Sequence, residues 1–115
     1  MTPIVLCIPK IKDEKLISYF NKDFRKIFEI DYKLGKIYKI IQLQNKDKTN
    51  RYIIFCELKT DNQYFKTIKN RFDNNCDIKL YYNESKFLFW KISKAFFQPS
   101  YSQFSKIKKE YNFAN

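Results

Sequence analysis

Residues 50–58 read NRYIIFCEL, a run too short for a helix and rich in β-branched and aromatic side chains, which predicts a strand. Side chains alternate along a strand, so Tyr52, Ile54 and Cys56 share one face while Ile53, Phe55 and Glu57 share the other. With the first set packed under helices, Ile53 and Phe55 lie on an open sheet face. Phe55 is then either covered by another part of the chain or displayed for stacking on a base. A stacked base contributes roughly 1–3 kcal/mol by alanine substitution.

The segments around this strand supply its neighbours. TPIVLCIPKI (2–11) is an apolar run ending near Pro9, a second short strand. In KDEKLISYFNKDFRKIF (12–28), Leu16, Phe20, Phe24 and Ile27 recur at three- and four-residue spacing, one face of a helix. Asp13 suits its N-cap, Asp13 and Glu14 suit its first turn, and Lys22, Arg25 and Lys26 gather toward its far end. YKLGKIYKIIQLQ (32–44) predicts a turn at Gly35 and a strand over 36–44, and NKDKTN (45–50) a charged loop. DNQYFKTIKNRFDNN (61–75) places Phe65, Ile68 and Phe72 on one helix face, with Asp61 as N-cap and Asn74 or Asn75 as terminator. DIKLYY (77–82) alternates like a short strand and NES (83–85) is turn-like. KFLFWKIS (86–93) is a further strand. Assigning Leu88, Trp90 and Ile92 inward frees Phe87, Phe89 and Lys91 for the open face, although periodicity alone leaves the opposite phase open.

The expected architecture is α+β. It is a ferredoxin-like β-α-β-β-α-β domain over residues 1–94, with a four-stranded antiparallel sheet, two helices on one face and an extra short strand before the last. Residues 95–115 form an aromatic and basic tail in which Phe104, Ile107 and Tyr111 stand at helical spacing. A helix there either caps the sheet, competing with any nucleic acid for that surface, or docks on a partner protein or protomer.

Composition narrows the function. The 115 residues fit one domain, and no apolar stretch approaches the roughly 18 residues of a membrane span. The first ten residues lack the pattern of a signal peptide, so none is expected. A net charge of +11 points to a polyanionic partner, with lysine-rich coding bias as the neutral explanation. Cys7, Cys56 and Cys76 form no CxxC pair, and with no histidine no metal site or cofactor is expected. Their bland reading is reduced thiols of a cytosolic protein. One glycine, no histidine and no clustered acids remove the parts of most hydrolase and phosphate-loop mechanisms, so an enzyme is not expected.

Two segments resemble the RNA-recognition motif. LCIPKI (6–11) occupies the place of its shorter ribonucleoprotein motif and RYIIFCEL (51–58) that of its longer one. The resemblance implies base stacking from these two strands. Arg51 matches the basic first position and Phe55 a stacking aromatic. Cys7 and Ile53 stand where the family carries aromatics, and Tyr52 where it carries glycine. IPKI (8–11), LGKI (34–37), NRYIIF (50–55) and FWKIS (89–93) together resemble small proteins of this type from giant nucleocytoplasmic DNA viruses. That resemblance implies a viral setting in the host cytoplasm or viral factory, or in the virion.

The first functional reading is therefore a module for single-stranded nucleic acid, RNA before DNA, with little sequence preference. Its expected contacts are Phe55, Arg51, Ile53, Cys7, Lys10, Lys36, Lys39, Phe87, Phe89 and Lys91, with Lys46 and Lys48 on the rim. The second is a protein-interaction or structural module of a viral assembly, using Phe104, Ile107 and Tyr111 of the tail. A metal-dependent nuclease is disfavoured because IVLCIPKI (4–11) carries no acid.

Overall fold

The structure, a computed structural model, describes residues 1–12 and 14–114, with side-chain surroundings through residue 110. Five strands make one sheet: β1 (Thr2–Ile11), β2 (Gly35–Gln44), β3 (Asn50–Leu58), β4 (Ile78–Asn83) and β5 (Leu88–Lys94). Their order is β2-β3-β1-β5-β4, and every neighbouring pair is antiparallel. The helices are α1 (Glu14–Lys26), α2 (Phe65–Asp73) and α3 (Tyr101–Ala114), with a π turn over Ile27–Asp31 after α1.

This corrects the expected four-stranded, two-helix ferredoxin-like domain. The chain is α+β, but its sheet has five strands, because Ile78 and Leu80 of β4 pair across β5 with Ile92 and Trp90. The tail folds as a third helix.

The core lies between one sheet face and α1 and α2. Leu6 and Ile8, Tyr52, Ile54 and Cys56, and Trp90 and Ile92 all point into it, as the alternation predicts. Leu88 does not, since it sits at the end of the β4–β5 hairpin opposite a bulge and stays 41% exposed. Four aromatics form the centre. Phe20 lies 4.5 Å from Phe24 and 3.8 Å from Tyr52 between ring centroids, and Trp90 meets Phe20 and Phe24 edge-on.

Ends and turns follow local chemistry. Asp13, expected to cap α1, lies outside the described residues. Asp61 does not cap α2. The preceding turn is held by Asn62, whose Oδ1 accepts from the Tyr64 backbone N–H at 2.7 Å. Asn74 and Asn75 do end the helix, Asn75 taking a left-handed φ of 57°. Gly35 belongs to β2 rather than to a turn, for a reason of close approach: a Cβ there would sit 1.8 Å from the Glu57 carbonyl oxygen.

Candidate nucleic-acid interface

Register defines the sheet face opposite the core. One row runs Ile41, Ile53, Cys7, Ser93 across β2, β3, β1 and β5. The next runs Lys39, Phe55, Val5, and Lys36 pairs with Glu57 at the end. A bulge in β2 adds Tyr38 to this face.

The chain itself covers part of the face. After β5 the Gln98 side chain grips β1: Val5 N–H donates to its Oε1 at 3.0 Å and its Nε2 donates to the Val5 carbonyl at 2.8 Å. Val5 is buried as a result. Farther along, α3 sets Phe104 edge-on to Tyr38 at 5.9 Å, leaving Phe104 2% exposed. Lys108 reaches Glu57 at 3.1 Å, and the Tyr38 hydroxyl donates to the same carboxylate. Lys39 lies 4.0 Å from Glu110 of α3. Phe55, between Val5 and Lys39 in its row, is half-buried. Its neighbours on both sides are thus engaged by the tail.

Glu57 is 7% exposed. Burial pushes its carboxyl up, but the Tyr38 hydroxyl and the Lys108 ammonium outweigh this and hold it below its ordinary value. A carboxyl lowered by folding stabilises the native state above its unfolded pKa of about 4.3, and that contribution is lost as pH falls through the lower folded value. Acidification from about pH 5 to about pH 3 is expected to lower the protection of α3 amides, taken as their exchange relative to the intrinsic rate at each pH. In Glu57→Gln the same titration should leave α3 protection nearly level. An unchanged pH response in that variant would mean another group controls the helix.

Beyond the tail the face stays open. Cys7, Ile53 and Arg51 line a groove of about 440 Å³ together with Ser93 and Lys94, and Phe96 and Phe97 rise beside it. Phe96 is fully exposed and Phe97 mostly so. Arg51 is exposed, its guanidinium donating to Asn45 Oδ1 at 3.2 Å. Burial pushes the Cys7 thiol up and the Arg51 charge only opposes that, so Cys7 is a neutral, weakly polar floor.

The other expected contacts are dispersed. Lys10 is tied to Asp47 at 2.8 Å, Lys91 to Asp77 at 3.3 Å, and Lys36 lies 5.7 Å from the Tyr38 ring centroid. Phe89 is on the predicted face but packs against Tyr81 at 5.3 Å beneath the Lys79 ammonium, toward the β4 edge. Phe87 is not in the strand. It sits in the hairpin turn at φ 54°, 76% exposed. Phe104, expected to meet a partner, is used internally. Ile107 is half-buried, and the Tyr111 side chain lies outside the described residues. Phe96, Phe97 and Lys94 were not singled out as site residues: the expected strand ended at residue 93, and although β5 includes Lys94, the two phenylalanines follow it where no periodicity assigns a face.

A larger cleft lies elsewhere, about 780 Å³ between the π turn, the loop before α2 and the β4–β5 hairpin. Its Tyr32 hydroxyl is already placed to donate to the Tyr81 carbonyl or Glu84, and Asp31, Asp61 and Glu84 share its wall with Lys33 and Lys59. Mixed charges suit a polyanion poorly, so the smaller groove is the better candidate. No group of histidines, cysteines and acids able to hold a metal occurs among the described residues. Among the described residues no helix is long and apolar enough to cross a membrane. Comparisons with protein-family models, curated proteins and solved structures find no match to this chain.

Proposed function

We propose that this chain binds single-stranded nucleic acid, RNA being the first substrate to test, in the groove between Arg51, Ile53, Cys7 and the Phe96–Phe97 pair. The observation that carries the reading is the pair itself. Two adjacent phenylalanines stand in solvent beside Arg51 and Lys94 on a chain of net charge +11. Exposed apolar rings next to cations are what a base and its phosphate require: the ring stacks and the cation neutralises. Backbone phosphates and π faces are common to all sequences, so the expected binding has little sequence preference.

The test is fluorescence anisotropy with oligouridylate, the matching single-stranded DNA and a duplex, across a salt series. Phe96→Ala is expected to weaken single-strand binding by roughly five- to a hundredfold. Phosphate contacts from Arg51 and Lys94 give a logarithmic salt slope of roughly −1.4, at about 0.7 per contact. Binding equally tight to the duplex, or indifferent to Phe96 and Phe97, would falsify the reading and leave only the unspecific attraction of a basic surface.

A further inference from the structure

Helix α3 hides a second stretch of the same face, and we infer that it is a displaceable cover over an extension of the binding groove. This rests on the reading above. Beneath α3 lies Tyr38, and the neighbouring row holds Lys39, which meets Glu110 of α3, and Phe55, whose alternation along β3 continues to Ile53 in the open groove. Among the described residues the cover is fastened by an aromatic contact and two ion pairs. Phe104 packs on Tyr38, Lys108 pairs with Glu57, and Lys39 meets Glu110 at the limit of an ion pair. Glu57 is the one buried charged side chain among the described residues. It also faces Lys36 across the β2–β3 ladder and is influenced by the chain's amino terminus. These cations keep it compensated in part when Lys108 leaves.

Docked and undocked α3 are therefore two states that a single strand distinguishes. Docked, α3 limits the ligand to the groove beside Phe96. Undocked, it releases Tyr38 for stacking and opens the row that holds Phe55. A ligand that uses the uncovered surface binds with an affinity reduced by the fraction of time the cover is open.

The test exploits a conflict of signs. Lys108→Glu removes positive charge and so weakens any purely electrostatic binding, yet it also sets Glu against Glu57 and opens the cover. Relative to wild type, it is expected to bind oligouridylate roughly tenfold more tightly if the open state is near a tenth of the population. Lys109→Glu, the same charge change at an exposed position of α3, is expected to bind more weakly. Phe104→Ser opens the cover without changing charge and should also tighten binding. Adding Phe55→Ala to Lys108→Glu should cancel most of the gain.

Hydrogen exchange at α3 amides reports docking directly, and both opening variants are expected to accelerate it. Faster exchange with affinity no better than that of Lys109→Glu overturns the inference. So does unchanged exchange in both, since these contacts would then not hold the helix. Wild-type binding that depends on Phe96 sustains the groove in either case, so the two readings fail separately.

Discussion

Gly35→Ala is expected to cost at least about 4 kcal/mol, a large part of the roughly 5–15 kcal/mol that holds a domain folded. The added methyl would lie 1.8 Å from the Glu57 carbonyl oxygen, 2.8 Å from its carbonyl carbon and 3.0 Å from the Leu58 Cα. All three are backbone atoms of β3, which is paired on its other side with β1. They cannot swing away as a side chain would. Relief requires β2 to part from β3 where Gly35 opposes Leu58 and Lys36 opposes Glu57. Urea titration followed by circular dichroism should show a far lower midpoint or a chain unfolded at 25 °C. A cost under about 1 kcal/mol would mean that β2 begins its pairing later than Gly35.

Phe20→Ala comes next, at about 3–5 kcal/mol, or roughly 12–20 °C in Tm for a chain of this length. Phe20 is 1% exposed and touches Phe24, Tyr52 and Trp90, so its removal empties the contact between α1 and the middle strands. The Tyr52 hydroxyl donates to Asn21 Oδ1 at 3.2 Å, which fixes one wall of the space and hinders collapse. Thermal melting checks the figure. A shift of only a few degrees would show that the neighbouring rings refill the cavity.

Much of this core was legible from spacing. Leu16, Phe20, Phe24 and Ile27 fall on the inward side of α1 and its π turn, and Tyr52, Ile54 and Cys56 on the inward side of β3. Period-two and period-3.6 patterns encode burial within one element, and each element carries its own record of them. What failed needed information from elsewhere in the chain. Gly35 looks like a turn residue until the approach of Glu57 from β3 is known. Phe87 matches the strand alternation but falls one residue before the strand begins. The block from 77 to 82 was read as a strand, but its place in the sheet was not, because alternation within one segment does not say that it pairs with β5 as a fifth member.

The candidate site was less legible than the core. Arg51, Ile53 and Cys7 do meet in one groove, as alternation on two strands predicts. Phe55 was placed on the correct face, but the covering of its neighbours Val5 and Glu57 depends on Gln98 and Lys108, far away in sequence and bound by no period. The tail's helical face around Phe104 could be drawn in advance. Whether it turned toward the sheet or toward another molecule could not.

The Gln98 clamp carries one more consequence. Its amide mimics a stretch of backbone, pairing with Val5 at both donor and acceptor, and it does so before the helix starts. If α3 lets go, only the few residues around Pro99 separate it from that anchor. The freed helix cannot diffuse off; it competes for its own seat at an effective concentration in the millimolar range expected of a short tether. The occupancy of that seat in the free protein is consequently independent of how much protein is present, and shifts only with what acts on the docked contacts, pH and bound nucleic acid among them.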